Sequence, residues 1–148
     1  MPQDQTFGQA RAEIILRERM KELNCLHAIA KMIARTELSL EDCLRGVVET
    51  LPSAWLYPEI ACARIRFRDI ECQTRGFQET SWMIAADLRV YGQSAGSIEV
   101  FYTAERPARD KGPFMAEECL LVDTAATYVA FAIESRLLRT ELERYRNA

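Results

Sequence analysis

The sequence predicts a mixed α/β fold of the α+β kind: a central antiparallel sheet flanked by long N- and C-terminal helices. Three observations predict it. Apolar residues recur at helical spacing over about thirty residues at each end of the chain. Between them, two stretches alternate apolar and polar residues with a period of two, as half-buried strands do. Short reversals at Arg68-Asp69 and Gly92-Gln93-Ser94 fold those stretches into hairpins.

At 148 residues the chain can bury a core as one domain, residues 1–148, without disulfides or metal. Its net charge is −3, and acidic and basic residues are interspersed, as in Arg11-Ala12-Glu13 and Glu141-Leu142-Glu143-Arg144. That argues against a nucleic-acid partner, which needs a basic face. No apolar run reaches membrane-spanning length, and the N-terminus lacks the basic-then-apolar order of a signal peptide. The expectation is a cytoplasmic protein with no membrane partner. Five cysteines (Cys25, Cys43, Cys62, Cys72, Cys119) form no C-x-x-C motif and no even framework. Each lies in an apolar or amphipathic stretch and reads as a buried structural thiol, with a redox role as the alternative. The single histidine, His27, leaves no His/Cys cluster for zinc, so no metal site is expected.

The elements follow in order. Met1 to Thr6 are polar and expected to fray, and a helix is predicted from about Phe7 to Arg35. Leu16, Met20, Leu23, His27, Ala30 and Ala34 alternate four- and three-residue steps, the spacing of a coiled-coil seam. Leu26, Ile29 and Ile33 form a second stripe on a neighbouring face. Two stripes imply two partners, the domain's own sheet and a second chain; the alternative is that both are core. Ser39 caps a second helix whose buried face is Leu40, Cys43, Leu44, Val47, Val48 and Leu51, with Glu41 and Asp42 at the positive end of its dipole. Pro52 stops it, and a loop through Trp55, Tyr57 and Pro58 follows.

In the first hairpin, a two-residue loop at Arg68-Asp69 pairs Phe67 with Ile70, Ile65 with Cys72 and Ala63 with Thr74. Arg66 then pairs with Glu71 and Arg64 with Gln73 on the other side, and Cys62 and Cys72 point to opposite faces, which argues against a disulfide. In the second hairpin Trp82, Ile84, Ala86, Leu88 and Val90 share a face with Ile98, Val100 and Tyr102. The Phe101 side is partly apolar, so a loop or a ligand is expected to cover it. After the charged linker Thr103–Lys111, Gly112 and Pro113 open the last helix, with Glu117 and Glu118 in its first turn. Leu121, Ala125, Tyr128, Val129 and Ala132 read as its packing face. Phe131, Ser135, Leu138, Leu142 and Tyr145 repeat the seam spacing. Residues 1–20 and 136–148 are expected to project as dimer or coiled-coil segments.

Several blocks resemble one family. Lys21-Glu22-Leu23-Asn24-Cys25-Leu26, Trp55-x-Tyr57-Pro58-Glu59-Ile60 with Cys62-Ala63-Arg64-Ile65, and Phe77-x-Glu79-Thr80-x-Trp82 are similar to a GAF-like subfamily, as are Gly96-Ser97-Ile98-Glu99-Val100-Phe101-Tyr102 and Gly112-Pro113-Phe114-x-x-Glu117-Glu118. The match spans about Met20 to Leu142. The resemblance implies a GAF/PAS-like sheet with terminal helices on one face. It also implies a homodimer through those helices and a role as an N-terminal or internal input module of bacterial and archaeal histidine kinases, or joined to a phosphoenolpyruvate-utilising enzyme. It supplies no ligand. The Asn-Lys-x-x-Phe-Asp-x-x-x-Asp-Glu motif of cyclic-nucleotide relatives is missing, and the Gly76–Ser81 connection holds neither the cysteine nor the histidine of bilin-binding relatives.

Arg64, Phe77, Trp82, Phe101 and Tyr102 are the pocket candidates, suited to a small anionic metabolite if Arg64 or Arg89 supplies the polar contact; the alternative is sheet core. His27 reads as a pH-sensitive group or a tolerated polar residue at a helix contact. Asp87 and Glu99 read as a solvated polar face rather than a catalytic carboxylate pair. No catalytic residue and no cofactor is expected. The functional expectation is a non-catalytic sensory input domain with the seam Leu16, Met20, Leu23, His27, Phe131, Leu138, Leu142 and Tyr145. Its partners would be a second copy, a small-molecule ligand and an output domain in cis, since the seam running to Ala148 suggests excision from a larger protein. The alternatives are a structural dimerisation module without a ligand, and a cysteine-based redox sensor or reductase.

Overall fold

The computed structural model describes the backbone of residues 2–147 and the side chains of residues 8–147. Met1 and Ala148, the outermost residues of the two expected projections, lie outside the described residues. In chain order the elements are α1 (Pro2–Ala34), α2 (Leu40–Thr50), β1 (Ala61–Phe67), β2 (Ile70–Gln73), β3 (Met83–Val90), β4 (Gln93–Tyr102) and α3 (Ala116–Arg146). Single 3₁₀ turns at Pro52–Ala54 and Pro58–Ile60 shape the loop after α2, each opened by a proline whose fixed φ suits a first turn. The four strands form one antiparallel sheet in the order β2-β1-β4-β3. The fold is therefore the mixed α/β arrangement expected, with long terminal helices flanking an antiparallel sheet.

The register of the first hairpin is the predicted one: Phe67 pairs with Ile70, Ile65 with Cys72, and the Thr74 N–H donates to the Ala63 carbonyl at 3.0 Å. The second hairpin reverses earlier than predicted. Its loop is Tyr91-Gly92, with φ of 52° and 76°, and β4 already begins at Gln93. Positive φ at both central residues matches the right-handed twist of the flanking strands. The Tyr91 N–H donates to Glu134 of α3 at 2.8 Å, which anchors the turn. Gly96, opposite Phe67, lets β4 approach β1 closely; a Cβ there would run into the Arg66 carbonyl.

One face of the sheet carries Ala63, Ile65, Phe67, Cys72, Ile84, Leu88, Ile98, Val100 and Tyr102, all buried. Beneath this inner face α2 packs on β1 and β2, α3 packs on β3 and β4, and α1 lies against α2 and α3. The α2 cap is as expected: the Asp42 N–H donates to Ser39 Oγ at 3.1 Å. Two boundaries differ from expectation. The first helix reaches back to Pro2, where fraying was expected, and the last begins at Ala116. Pro113 therefore lies ahead of α3, in a turn where Gly112 takes φ 55° and Lys111 bridges Phe114.

The two long helices run parallel. Near the start of α3, Ile14, Ile15, Glu18 and Glu22 of α1 border the same crevice as Met115 and Glu117. Near the far end, Arg136 of α3 donates to the Arg35 carbonyl at 3.0 Å and to the Ile33 carbonyl at 3.5 Å. A cation set against the free carbonyls of a helix end complements both the hydrogen-bonding deficit and the dipole there. Parallel alignment leaves the first dozen or so residues of α1 beyond the start of α3, on the order of 18 Å at 1.5 Å per residue. The last turns of α3 likewise continue past the end of α1, at the opposite end of the molecule. Among the described residues no helix is long and apolar enough to cross a membrane.

Candidate functional site

On the outer face of the sheet, the segment between β2 and β3 folds back over the ends of β1 and β4. It is held by Arg64. The guanidinium lies 4.9 Å from the centre of the Phe77 ring and 5.5 Å from that of Phe101, and the two rings meet edge to face at 5.3 Å. Arg64 makes a bidentate pair with Glu99, Nη2–Oε2 at 2.8 Å and Nε–Oε1 at 3.2 Å, and it also approaches Glu79 at 3.6 Å and Glu71 at 3.8 Å. Ser97 Oγ donates to Glu99 Oε1 at 3.1 Å, and Arg66 stands 3.5 Å from the same oxygen. Burial alone would raise the Glu99 pKa, but the hydrogen bonds and charge of Arg64, with help from Ser97 and Arg66, hold it below the ordinary 4.5. Phe101 is fully buried and Arg64 is 4% exposed. The space over Phe101 is taken by the chain's own Phe77.

Arg64, Phe77 and Phe101 thus come together. Trp82 and Tyr102 do not join them, because strand alternation turns both to the opposite side. Trp82 borders a cleft with Arg106 and Pro113, while Tyr102 enters the core and stacks on Phe114 at 4.6 Å. Glu99 departs from the solvated role expected for it, since it is buried against Arg64. Asp87 does lie exposed, accepting from Ser94 and Arg89.

A second cluster lies where β4 hands over to α3. Glu118 is 2% exposed, yet its carboxylate has three donors from three segments. The Met115 N–H binds Oε1 at 2.8 Å, while the Leu56 N–H and the Tyr102 hydroxyl bind Oε2 at 2.9 and 3.2 Å. The first of these is half of a capping box, which a Glu at the third helical position makes. The other two bind the post-α2 loop and the end of β4 to the same carboxylate. Burial raises the Glu118 pKa despite those donors. The sequence signalled a first-turn acid; its burial depends on Leu56 and Tyr102, both remote in sequence.

The helical stripes separate cleanly. Ile29 is buried, with Leu26 and Ile33 partly so, and these face the core. Leu16, Met20, Leu23, His27, Ala30 and Ala34 are all exposed, and Ala30 and Ala34 adjoin the partly buried Ile33 at the edge of the core-facing stripe. On α3, Phe131, Leu138, Leu142 and Tyr145 are exposed, from 53% to 80%, and Tyr128, expected in the packing face, is 37% exposed instead. The two stripes flank a groove of about 640 Å³ between α1 and α3 whose walls include Ala30, Ile33 and Ala34 on one side and Tyr128, Phe131 and Ser135 on the other.

Four of the five thiols are poorly placed for redox chemistry. Burial pushes Cys25 up to about 11 and also raises Cys43, Cys72 and Cys119, which disfavours the reactive thiolate. Cys62 lies on the outer face against the Gln78 carbonyl, while Cys72 is buried on the inner face.

No protein-family model matches the chain, and no curated protein matches it.

Proposed function

We propose that the chain is a non-catalytic regulatory module of the GAF-like kind, dimeric through α1 and α3, which passes a conformational change from its sheet to an output domain in cis. The observation that carries this reading is the exposed apolar stripe on each of two parallel helices, turned away from a packed side that faces α2 and α3 in α1 and the sheet in α3. Eight large apolar side chains (Leu16, Met20, Leu23, Tyr128, Phe131, Leu138, Leu142, Tyr145) are 37% to 80% exposed. At on the order of 100 Å² each, they approach the ~800 Å² per partner of a standard interface. Soluble monomers rarely present so long an apolar strip. The resemblance in sequence blocks is supported by the sheet with its terminal helices on one face. By that resemblance its output is a histidine kinase or a phosphoenolpyruvate-utilising enzyme, and the sequence pattern, with no signal peptide or membrane-spanning run, supports a cytoplasmic location.

The test is the mass in solution. Leu16→Asp or Leu138→Asp, both at exposed positions, is expected to convert a dimer into a folded monomer by light scattering with an unchanged circular dichroism spectrum. Dimers that persist in both variants would overturn the seam.

A second reading, a structural dimerisation module without a ligand, is favoured by Phe77 filling the space above Phe101. The two part in a thermal-shift screen with small anionic metabolites and nucleotides. A sensor ligand at 100 times its dissociation constant stabilises the fold by about 2.7 kcal/mol, whereas the structural module responds to none of them.

A further inference from the structure

Resting on the dimeric reading above, we propose that Phe131 is the central knob of the dimer contact, and that the α1–α3 groove of each copy receives the partner's Phe131. Phe131 is 64% exposed and forms a ridge between two hollows. On one side lies the groove of about 640 Å³ against α1. On the other lies a hollow of about 410 Å³ against β3, bordered by Asp87, Arg89, Asp123 and Glu134. The second hollow is rimmed by charge and would desolvate it if an aromatic ring entered. The first carries charge only from Arg136 and Arg139 of α3, and Arg136 is turned to the α1 carbonyls; along its α1 wall are the methyl groups of Ala30 and Ala34 and the side chain of Ile33, an apolar bed for a phenyl ring.

The placement of knob beside hole selects the symmetry. Phe131 itself borders the groove, so a two-fold axis passing next to it puts each ring into the other copy's groove at the same time. Such a contact is isologous and closes at two copies, with no free patch left to recruit a third. Ala30 and Ala34 stand one helical turn apart, and their small side chains let the partner's α3 approach α1 closely. Arg136, 7% exposed, fixes the groove's far end by holding the last turn of α1 through the Ile33 and Arg35 carbonyls. An aromatic anchor at the centre of an interface, fully desolvated by its surroundings, is the position where truncation costs most affinity.

The experiment uses two single variants of the full chain, Phe131→Ala and Ala30→Phe, each studied alone and as an equimolar mixture. Alone, Phe131→Ala lacks both knobs and Ala30→Phe has both holes filled, so each is expected to dimerise at least ~30-fold more weakly than the parent chain, a hot-spot-sized loss. In the mixture, the intact ring of the Ala30→Phe chain meets the open groove of the Phe131→Ala chain, and the filled groove meets the truncated position. A heterodimer tighter than either homodimer is therefore expected, read by native mass spectrometry with one chain isotopically labelled. Parent-like dimerisation by either single variant, or a mixture that gains nothing, would overturn the knob assignment while leaving the dimer itself standing. A parent chain that is monomeric at high micromolar concentration would instead overturn the dimeric reading beneath it. Circular dichroism spectra that match the parent's in both variants, and thermal midpoints that match it at concentrations where every chain is monomeric, confirm that assembly, not folding, is being measured.

Discussion

Replacing Arg64 with alanine is expected to destabilise the fold by about 3–5 kcal/mol at pH 7, the cost of leaving one member of a buried ion pair without its partner. Glu99 would remain buried, with only Ser97 and the half-exposed Arg66 within reach, and Phe77 would lose the cation on which it rests. The pair also sets a pH dependence whose sign follows from the direction of the shift. The Glu99 pKa is lower in the folded chain than its ordinary 4.5, so the folded state binds the proton less readily than the unfolded one. Its contribution is complete above about 4.5 and is lost as pH falls through the lowered value. Urea unfolding of the parent chain and of Glu99→Gln should therefore give a stability gap that is wide at neutral pH and narrows in acid. A gap that does not change with pH would mean that the pair is not ionised as described.

Glu118→Ala is expected to be the second large effect, about 2–4 kcal/mol, because it strips the acceptor from the Met115 and Leu56 N–H groups and from the Tyr102 hydroxyl at once. Glu118→Gln keeps an acceptor oxygen and should cost less. Here the pH dependence runs the other way. Burial raises the Glu118 pKa, so its contribution is greatest below the ordinary 4.5 and is lost as pH rises through the raised value. The parent chain should lose ground to Glu118→Gln as pH increases, the reverse of its behaviour against Glu99→Gln. Hydrogen exchange adds a local readout: in Glu118→Ala the first turn of α3 and residues 55–57 should lose protection together. If they respond independently, Glu118 does not couple them.

What the sequence made legible was whatever depends on near neighbours. The register of the first hairpin followed from a two-residue loop, because a slip of one residue would have turned Ile65 and Cys72 out of the core. The α2 cap at Ser39 and the core-facing stripe through Ile29 are likewise local patterns. The second turn was read late because Gly92 draws attention to itself, whereas Tyr91 takes its positive φ with Glu134 of α3 holding its N–H. Glu118 and Arg136 look like ordinary helix-surface charges in sequence. They are buried because Leu56, Tyr102 and the end of α1 arrive from more than fifteen residues away to satisfy them. The candidate site was half legible. Arg64, Phe77 and Phe101 do meet, but Trp82 and Tyr102 share the inner side with Ile84 and Val100, so five aromatic and basic residues close in sequence space divide between two faces.

Because α1 continues past the domain at one end and α3 at the other, whatever is joined to them is set in angle as well as in distance. Each residue added in helical continuation turns the attached unit by about 100° and moves it about 1.5 Å. Seven added residues after Arg146 would restore its facing to within about 20°, while two would turn it roughly to the far side. A unit fused to either helix would therefore take a defined phase: linker lengths that differ by a heptad should be interchangeable in a fusion, and those that differ by two residues should not.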